Sequence, residues 1–272
     1  MLVYLNGHLI DDKKATVPIR DAGLLYGHGV YESFRTFAGK TKLLQEHLER
    51  LKESAEALFI PFSYSFDELE TAVKQLIEAR QKEEPGHEFR IRMTLTAGNT
   101  DIRTASEASP LLFITAKRLS SEPMQPLNMR SFRMVRQVPE VKTTAMLAAI
   151  LGQHHALSKQ ADEALLTDGN DMVHESSFSN IYLIKNGVLL IPNSGALKGI
   201  TQALIRQLAK DVLPIKSKPL SLNDFYKADE VFTSGSVRGI VAVRMIDGHS
   251  LQAPGSYTQE IQKLFQEWAE AP

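Results

Sequence analysis

The sequence predicts an α+β fold in two modest domains. Three observations point there: strand-like and helix-like segments come in runs without regular βαβ alternation, a polar stretch broken by two prolines divides the chain near its middle, and 272 residues suit two domains sharing a cleft better than one. The missing alternation also sets aside a doubly wound parallel sheet.

Tyr4-Leu5-Asn6-Gly7-His8-Leu9-Ile10 reads as two short strands about an Asn-Gly turn, since both turn residues tolerate positive φ. Leu44, Leu48, Leu51, Ala55 and Leu58 recur at helical spacing, and a second helix follows Ser65, whose Ser65-x-x-Glu68 pattern is a capping box. Over 89–96 the chain alternates strictly, with Phe89, Ile91, Met93 and Leu95 on one face and Arg90, Arg92, Thr94 and Thr96 on the other. A buried strand is expected over 111–116. Pro123 and Pro126 then break the pattern, which places a linker at 118–128 between a smaller α/β domain at 1–117 and a larger domain at 129–272. The second half reads as a strand over 129–138, a helix after Lys142, a strand over 164–167, and a hairpin about Lys185-Asn186-Gly187 with strands over 180–184 and 188–191. Gly199 precedes a helix carrying Leu204, Ile205, Leu208 and Val212. A strand over 230–233, another ending at Asp247-Gly248, and a helix using Ile261, Leu264, Phe265 and Trp268 close the chain.

Composition removes several function classes. The apolar fraction of 43% and charged fraction of 23% are those of a globular protein, and no stretch approaches the ~20 apolar residues that span a bilayer. The first residues carry no basic region, so a secretory leader is not expected and a cytoplasmic address is. Absence of cysteine excludes thiol nucleophiles, thiolate zinc sites, iron–sulfur clusters and disulfides. A net charge of −1 with dispersed Lys and Arg gives no attraction to nucleic acid.

Familiar motifs are missing. Gly27-His28-Gly29 has Glu32 where a dinucleotide loop needs its third glycine, and Gly235-Ser236-Val237-Arg238-Gly239 is one position out of register for a nucleophile elbow. His174-Glu175 lacks the second histidine of a zinc-protease helix, and His154-His155 reads as a partly exposed helical pair, so no metal is expected.

Six segments in order carry the functional signal: Asp21-Ala22-Gly23-Leu24-Leu25-Tyr26-Gly27-His28-Gly29-Val30-Tyr31-Glu32, His47-Leu48-Glu49-Arg50-Leu51, Val141-Lys142-Thr143-Thr144, His174-Glu175-Ser176-Ser177-Phe178-Ser179-Asn180-Ile181, Gly199-Ile200-Thr201, and Asp229-Glu230-Val231-Phe232-Thr233-Ser234-Gly235-Ser236. Together they resemble the fold-type-IV pyridoxal-phosphate enzymes, the class-IV aminotransferase family, over nearly the whole chain. That family holds branched-chain aminotransferases, D-amino acid aminotransferases and aminodeoxychorismate lyases. The resemblance implies a D-amino acid aminotransferase-like two-domain fold, a cofactor cleft between the domains, pyridoxal 5'-phosphate as cofactor bound in the larger domain, a small-molecule amine as substrate, and a homodimer.

It also implies roles that chemistry supports. Lys142 would hold the cofactor as a Schiff base, because an aldehyde needs an amine and burial favours the neutral form; residue type alone would make it a surface lysine. Glu175 would keep the pyridine nitrogen protonated, against the plainer reading of a solvated turn glutamate. Ser176 stands beside it where many relatives have glycine. Arg50, Ile200, Thr201, Gly235 and Ser236 would hold the phosphate, since a dianion suits an arginine and free amides at a helix start. Arg50 could instead pair with Glu46 or Glu53 on its own helix, and the glycines could be plain turn residues. Tyr31 and Arg92 are the substrate-side candidates, with Arg35 and Arg90 as rivals.

The family divides between two reactions. Tyr31-Glu32-Ser33-Phe34-Arg35-Thr36 and Arg90-Ile91-Arg92-Met93-Thr94-Leu95-Thr96 look more like the lyases, and Leu147 stands where branched-chain aminotransferases carry a cofactor-contacting tyrosine. Ala145 departs from the asparagine often found three residues after the lysine. The expectation is therefore a 4-amino-4-deoxychorismate lyase yielding 4-aminobenzoate, a folate precursor, and pyruvate, with D-amino acid or branched-chain transamination as the alternative. A non-catalytic binding protein would predict damage at Lys142 or Glu175, and both are present.

Overall fold

The structure, a computed structural model, describes residues 1–101, 109–120 and 124–271. Residues 121–123 of the expected linker lie outside the described residues. The chain forms two compact units, Met1–Ser121 with Val141–Ala145, and Glu122–Glu140 with Met146–Pro272. The segment carrying Lys142 thus belongs to the first unit.

In the first unit, β1 (Leu2–Leu5) and β2 (His8–Asp11) form the expected hairpin, Leu5 opposite His8, with Asn6 at φ 41° and Gly7 at φ 95°. The short helix α1 (Ala22–Tyr26) is capped by Asp21, whose carboxylate accepts from the Leu24 N–H at 3.1 Å. After it come β3 (Gly29–Phe37), β4 (Lys40–Thr41), α2 (Leu44–Ala57), α3 (Phe66–Glu83), β5 (Phe89–Asn99) and β6 (Ser109–Arg118). The capping box forms: Ser65 Oγ accepts from the Glu68 N–H at 3.2 Å, and the Glu68 carboxylate accepts from the Ser65 N–H at 2.7 Å.

The strands run in the order β2-β1-β6-β5-β3-β4, all neighbours antiparallel. One face bears the core. Val30 and Phe34 of β3, the predicted Phe89, Ile91, Met93 and Leu95 of β5, and Leu112 and Ile114 of β6 pack there against Leu48 and Leu51 of α2 and Leu69, Val73 and Leu76 of α3. β3 is absent from the elements the apolar pattern predicts, because Glu32 and Thr36 occupy its core-facing positions and interrupt that pattern.

The second unit contains, in order, β7 (Leu127–Arg133), α4 (Leu147–Ser158), β8 (Glu163–Thr167), β9 (Val173–Ser176), β10 (Asn180–Lys185), β11 (Val188–Pro192) and α5 (Ile200–Ala209). The remainder is β12 (Ile215–Lys218), α6 (Leu222–Tyr226), β13 (Glu230–Gly235), β14 (Gly239–Ile246), β15 (His249–Ser250) and α7 (Ser256–Glu270). The sheet order is β12-β11-β10-β13-β14-β7-β8-β9, with β15 added to β14, and the pairs β11–β12, β14–β7 and β7–β8 are parallel. Leu165, Ile181, Leu183, Val231, Val241 and Val243 build a core with Phe225 of α6, while α4, α5 and α7 also pack on the strands. Central strands covered on both faces leave β13 and β10 buried along nearly their whole length.

Two expectations are corrected. The strand over 129–138 ends at Arg133, because the chain leaves the sheet at Met134, whose N–H bonds the Phe132 carbonyl at 2.9 Å, and Val135 and Val138 are exposed. Val212 lies beyond the end of α5. Among the described residues no helix is long and apolar enough to cross a membrane.

Candidate functional site

Lys142 is held by its backbone. Residues 141–145 run along β3, where the Tyr31 N–H donates to the Lys142 carbonyl at 2.9 Å and the Thr144 N–H to the Gly29 carbonyl at 2.8 Å. The hydroxyls of Thr143 and Thr144 add bonds to the carbonyls of Gly29 and Gly27 at 3.0 and 3.1 Å. From this fixed base the half-buried Lys142 side chain places Nζ 4.8 Å from the centroid of the Tyr31 ring. The Arg92 guanidinium lies 3.9 Å from the same centroid. Burial lowers the Arg92 pKa and the neighbouring Arg90 adds to it, with Tyr31 opposing. Of the rivals, Arg90 is exposed, while Arg35 turns its Nε to the Thr36 carbonyl at 3.1 Å. The first unit therefore brings Lys142, Tyr31 and Arg92 together.

Arg50 points elsewhere than either helix pairing would have it. Its Nε and Nη2 donate to the two oxygens of Glu32 at 2.7 and 2.8 Å, so its partner is a strand residue and neither Glu46 nor Glu53. The His47 Nδ1–H donates to the same carboxylate at 2.6 Å. Burial alone would raise the Glu32 pKa, but the Arg50 charge and the bonds from His47 and Arg50 outweigh it and hold the carboxyl at about 2. Burial lowers the His47 pKa; Glu32 opposes, and the charges of Arg50 and Lys142 reinforce burial. The spacing of His47, Arg50 and Ser54 puts all three on the α2 face toward β3.

In the second unit Glu175, on β9, is buried and accepts from the Leu197 N–H at 3.3 Å, while Arg136 Nε lies 2.7 Å from its other oxygen. Arg136 reaches it because the chain has already left β7. Ser176 needs no glycine-like backbone: its φ is not positive, and its hydroxyl closes the turn by accepting from the Ser179 N–H at 3.0 Å. The fully buried Glu163 braces this turn, accepting from Ser176 Oγ at 2.5 Å and from the Phe178 N–H at 3.1 Å. Arg238, in the β13–β14 turn, pairs with Glu163 from the other side.

Ile200 and Thr201 open α5, and Thr201 Oγ1 lies 3.1 Å from Ser236 Oγ in the turn that begins at Gly235. Gly199 precedes them at a close approach, where an added Cβ would overlap the side-chain oxygen of Asn180. The Asn180 amide donates to the Leu197 carbonyl at 2.8 Å, and Leu197 in turn donates to Glu175. Gly199→Ala is therefore expected to cost about 1–3 kcal/mol by overpacking, read by thermal melting.

Glu32, His47, Arg136, Glu163 and Arg238 were not among the sequence candidates. Glu32 had a signal, since a glutamate between Val30 and Phe34 at strand spacing is a buried carboxylate in need of a cation. The other partnerships join distant positions and leave no local mark. Of the histidine pair, His154 is exposed and His155 packs on Phe132 with ring centroids 5.2 Å apart.

Residues 29–246 match the family described as Amino-transferase class IV. The chain is 33% identical over 285 residues to a putative branched-chain-amino-acid aminotransferase of Methanocaldococcus jannaschii, covering 98% of this chain and 96% of the relative. It is 26% identical to a D-alanine aminotransferase of Staphylococcus epidermidis, covering 99% and 98%. Among solved structures, a branched-chain aminotransferase from Thermoproteus uzoniensis with norvaline superposes with a TM-score of 0.91 at 27% identity, over 99% of this chain and 94% of that one. A putative 4-amino-4-deoxychorismate lyase from Legionella pneumophila gives 0.84 at 25%, over 95% and 97%.

Proposed function

Since the chain belongs to the class IV aminotransferase family, whose enzymes use pyridoxal phosphate, we propose that it is an aminotransferase acting on small amino acids, with branched-chain substrates foremost. The full-length likeness to the Methanocaldococcus jannaschii protein carries this choice over the lyase. The residues suit the cofactor. Lys142 offers an amine, buried Glu175 a carboxylate for a protonated ring nitrogen, and the start of α5 offers first-turn amides with no side-chain cap beside the hydroxyls of Thr201 and Ser236. When bound, pyridoxal phosphate supplies the electron sink that lets an amine-bearing carbon give up a proton.

In this reading Lys142 anchors the cofactor, then accepts and returns the substrate proton at Nζ. Tyr31 presents the ring against which Nζ rests, and Arg92 receives a substrate carboxylate. Arg50, Ile200, Thr201, Gly235 and Ser236 hold the phosphate, with Glu32 and His47 fixing the Arg50 fork. We further propose a cytoplasmic homodimer. Support comes from apolar side chains left exposed, Leu24, Leu25, Tyr26 and Phe59 in the first unit and Leu147, Ile150, Leu151 and Leu157 on α4 in the second.

A second reading, aminodeoxychorismate lyase, is favoured by the Legionella pneumophila neighbour and by the segments around Tyr31 and Arg92. One experiment separates the two. The cofactor-loaded protein is given leucine or D-alanine with 2-oxoglutarate, and separately 4-amino-4-deoxychorismate. Transfer of the amino group supports the first reading; release of 4-aminobenzoate and pyruvate, without transfer, replaces it with the second.

A further inference from the structure

β3 and β5 leave a second face opposite the core, and its central residues are set by register. Tyr31 stands opposite Thr94, and Ser33 opposite Arg92. Facing partners on antiparallel strands lie about 5 Å apart and next-but-one residues about 7 Å, so the four side chains form one small patch. Two of its hydroxyls lack the partners that burial demands, and its cation lacks a counterion. Thr94 is 3% exposed and its hydroxyl has no hydrogen-bond partner among the described residues. The Ser33 hydroxyl is likewise shielded from solvent and unpartnered. The half-buried Arg92 has the ring and a side-chain hydrogen bond of Tyr31 and the like charge of Arg90 beside it, but no carboxylate within ion-pair distance among the described residues.

A desolvated cation without a counterion beside two buried hydroxyls without acceptors is the complement of an anion that accepts hydrogen bonds. The anion must also come from outside the sheet, because neither strand places an acid on this face: Glu32 points to the core, where Arg50 and His47 hold it. We propose that the hydroxyls of Ser33 and Thr94 complete, with Arg92, a carboxylate subsite, and that they make the enzyme choose a substrate carboxylate over an uncharged group of the same shape. The inference rests on Lys142 as the reacting amine, since Lys142 lies against the same Tyr31 ring and a carboxylate held there belongs to the molecule undergoing reaction.

The probes are 4-methylpentanoate and its amide, 4-methylpentanamide, whose binding is followed by calorimetry on the cofactor-loaded and the cofactor-free protein. Wild type is expected to bind the carboxylate at least about tenfold more tightly than the amide. Thr94→Val and Ser33→Ala should each weaken the carboxylate by up to about tenfold, one charge-assisted hydrogen bond, with the amide unchanged and cofactor loading intact. Ser33→Ala removes a single oxygen from a half-buried position and carries the test alone if Thr94→Val does not fold. Equal binding of the two probes by wild type, or unaltered preference in the variants, overturns the subsite. Failure of wild type to load pyridoxal phosphate would instead overturn the cofactor assignments, while the probe preference of the cofactor-free protein still decides for or against the two hydroxyls.

Discussion

Replacing Lys142 by alanine is expected to lower turnover by at least about 10³-fold, since in the proposed function one group serves both as covalent anchor and as proton carrier. The loss should be chemical and leave the fold intact. The backbone bonds that seat this segment come from Tyr31, Thr143 and Thr144, and the side chain itself is only half-buried. Lys142→Arg makes a sharper control: it keeps a cation against the Tyr31 ring but supplies no amine that can condense with an aldehyde. Both variants should melt near the wild-type temperature and fail to retain cofactor after borohydride reduction and denaturation, whereas wild type should keep it. A variant still active within tenfold of wild type would remove Lys142 from the mechanism.

The largest effect on stability is expected at Glu32. Its carboxylate is fully buried and satisfies both Arg50 and His47, so Glu32→Ala strands a guanidinium in the interior and should cost about 3–5 kcal/mol. Glu32→Gln keeps the volume and one acceptor, and should cost less. The pH dependence has a definite sign. In the folded protein the Glu32 pKa is about 2 against an ordinary 4.5, so its stabilisation is fully present above pH 4.5 and is lost as pH falls from there through 2. His47 acts in the same direction at higher pH: burial lowers its pKa below the ordinary 6.5, so the unfolded chain takes up the proton first and stability declines as pH falls below that value. Denaturant titrations from pH 8 down to 3 should show the acid-side decline in wild type and a shallower one in Glu32→Gln. If Arg50 holds the cofactor phosphate as proposed, cofactor affinity should fall in the same variant, because the Arg50 fork loses one of the oxygens that orient it.

Glu32 also shows where local reading stops. A carboxylate at a core-facing strand position breaks the apolar alternation on which strand recognition depends, so the residue that ties Arg50 in place also concealed the strand that carries it. Short-range devices were plain by comparison. The Asn6-Gly7 and Asn186-Gly187 turns, the Ser65–Glu68 box and the alternation along β5 each act over a few residues, and each formed in the structure as its residues require. The candidates Lys142, Tyr31, Arg92, Glu175, Thr201 and Ser236 could be named from the order of their segments, while Arg136, Glu163 and Arg238, which form ion pairs in the structure, could not.

What the sequence by itself determined is therefore the α+β class and the local turns and caps, because these follow from periodicity and backbone preference, while the resemblance of its ordered segments to a family implied the groups of a pyridoxal-phosphate enzyme. Tertiary structure alone decided that residues 141–145 pack along β3, that Arg50 bonds Glu32 18 positions away, and that Arg238 meets Glu163 75 positions away. A buried charge takes whichever opposite charge the packed sheet and helices bring within reach, and that choice depends on long-range pairing that no neighbouring residue encodes.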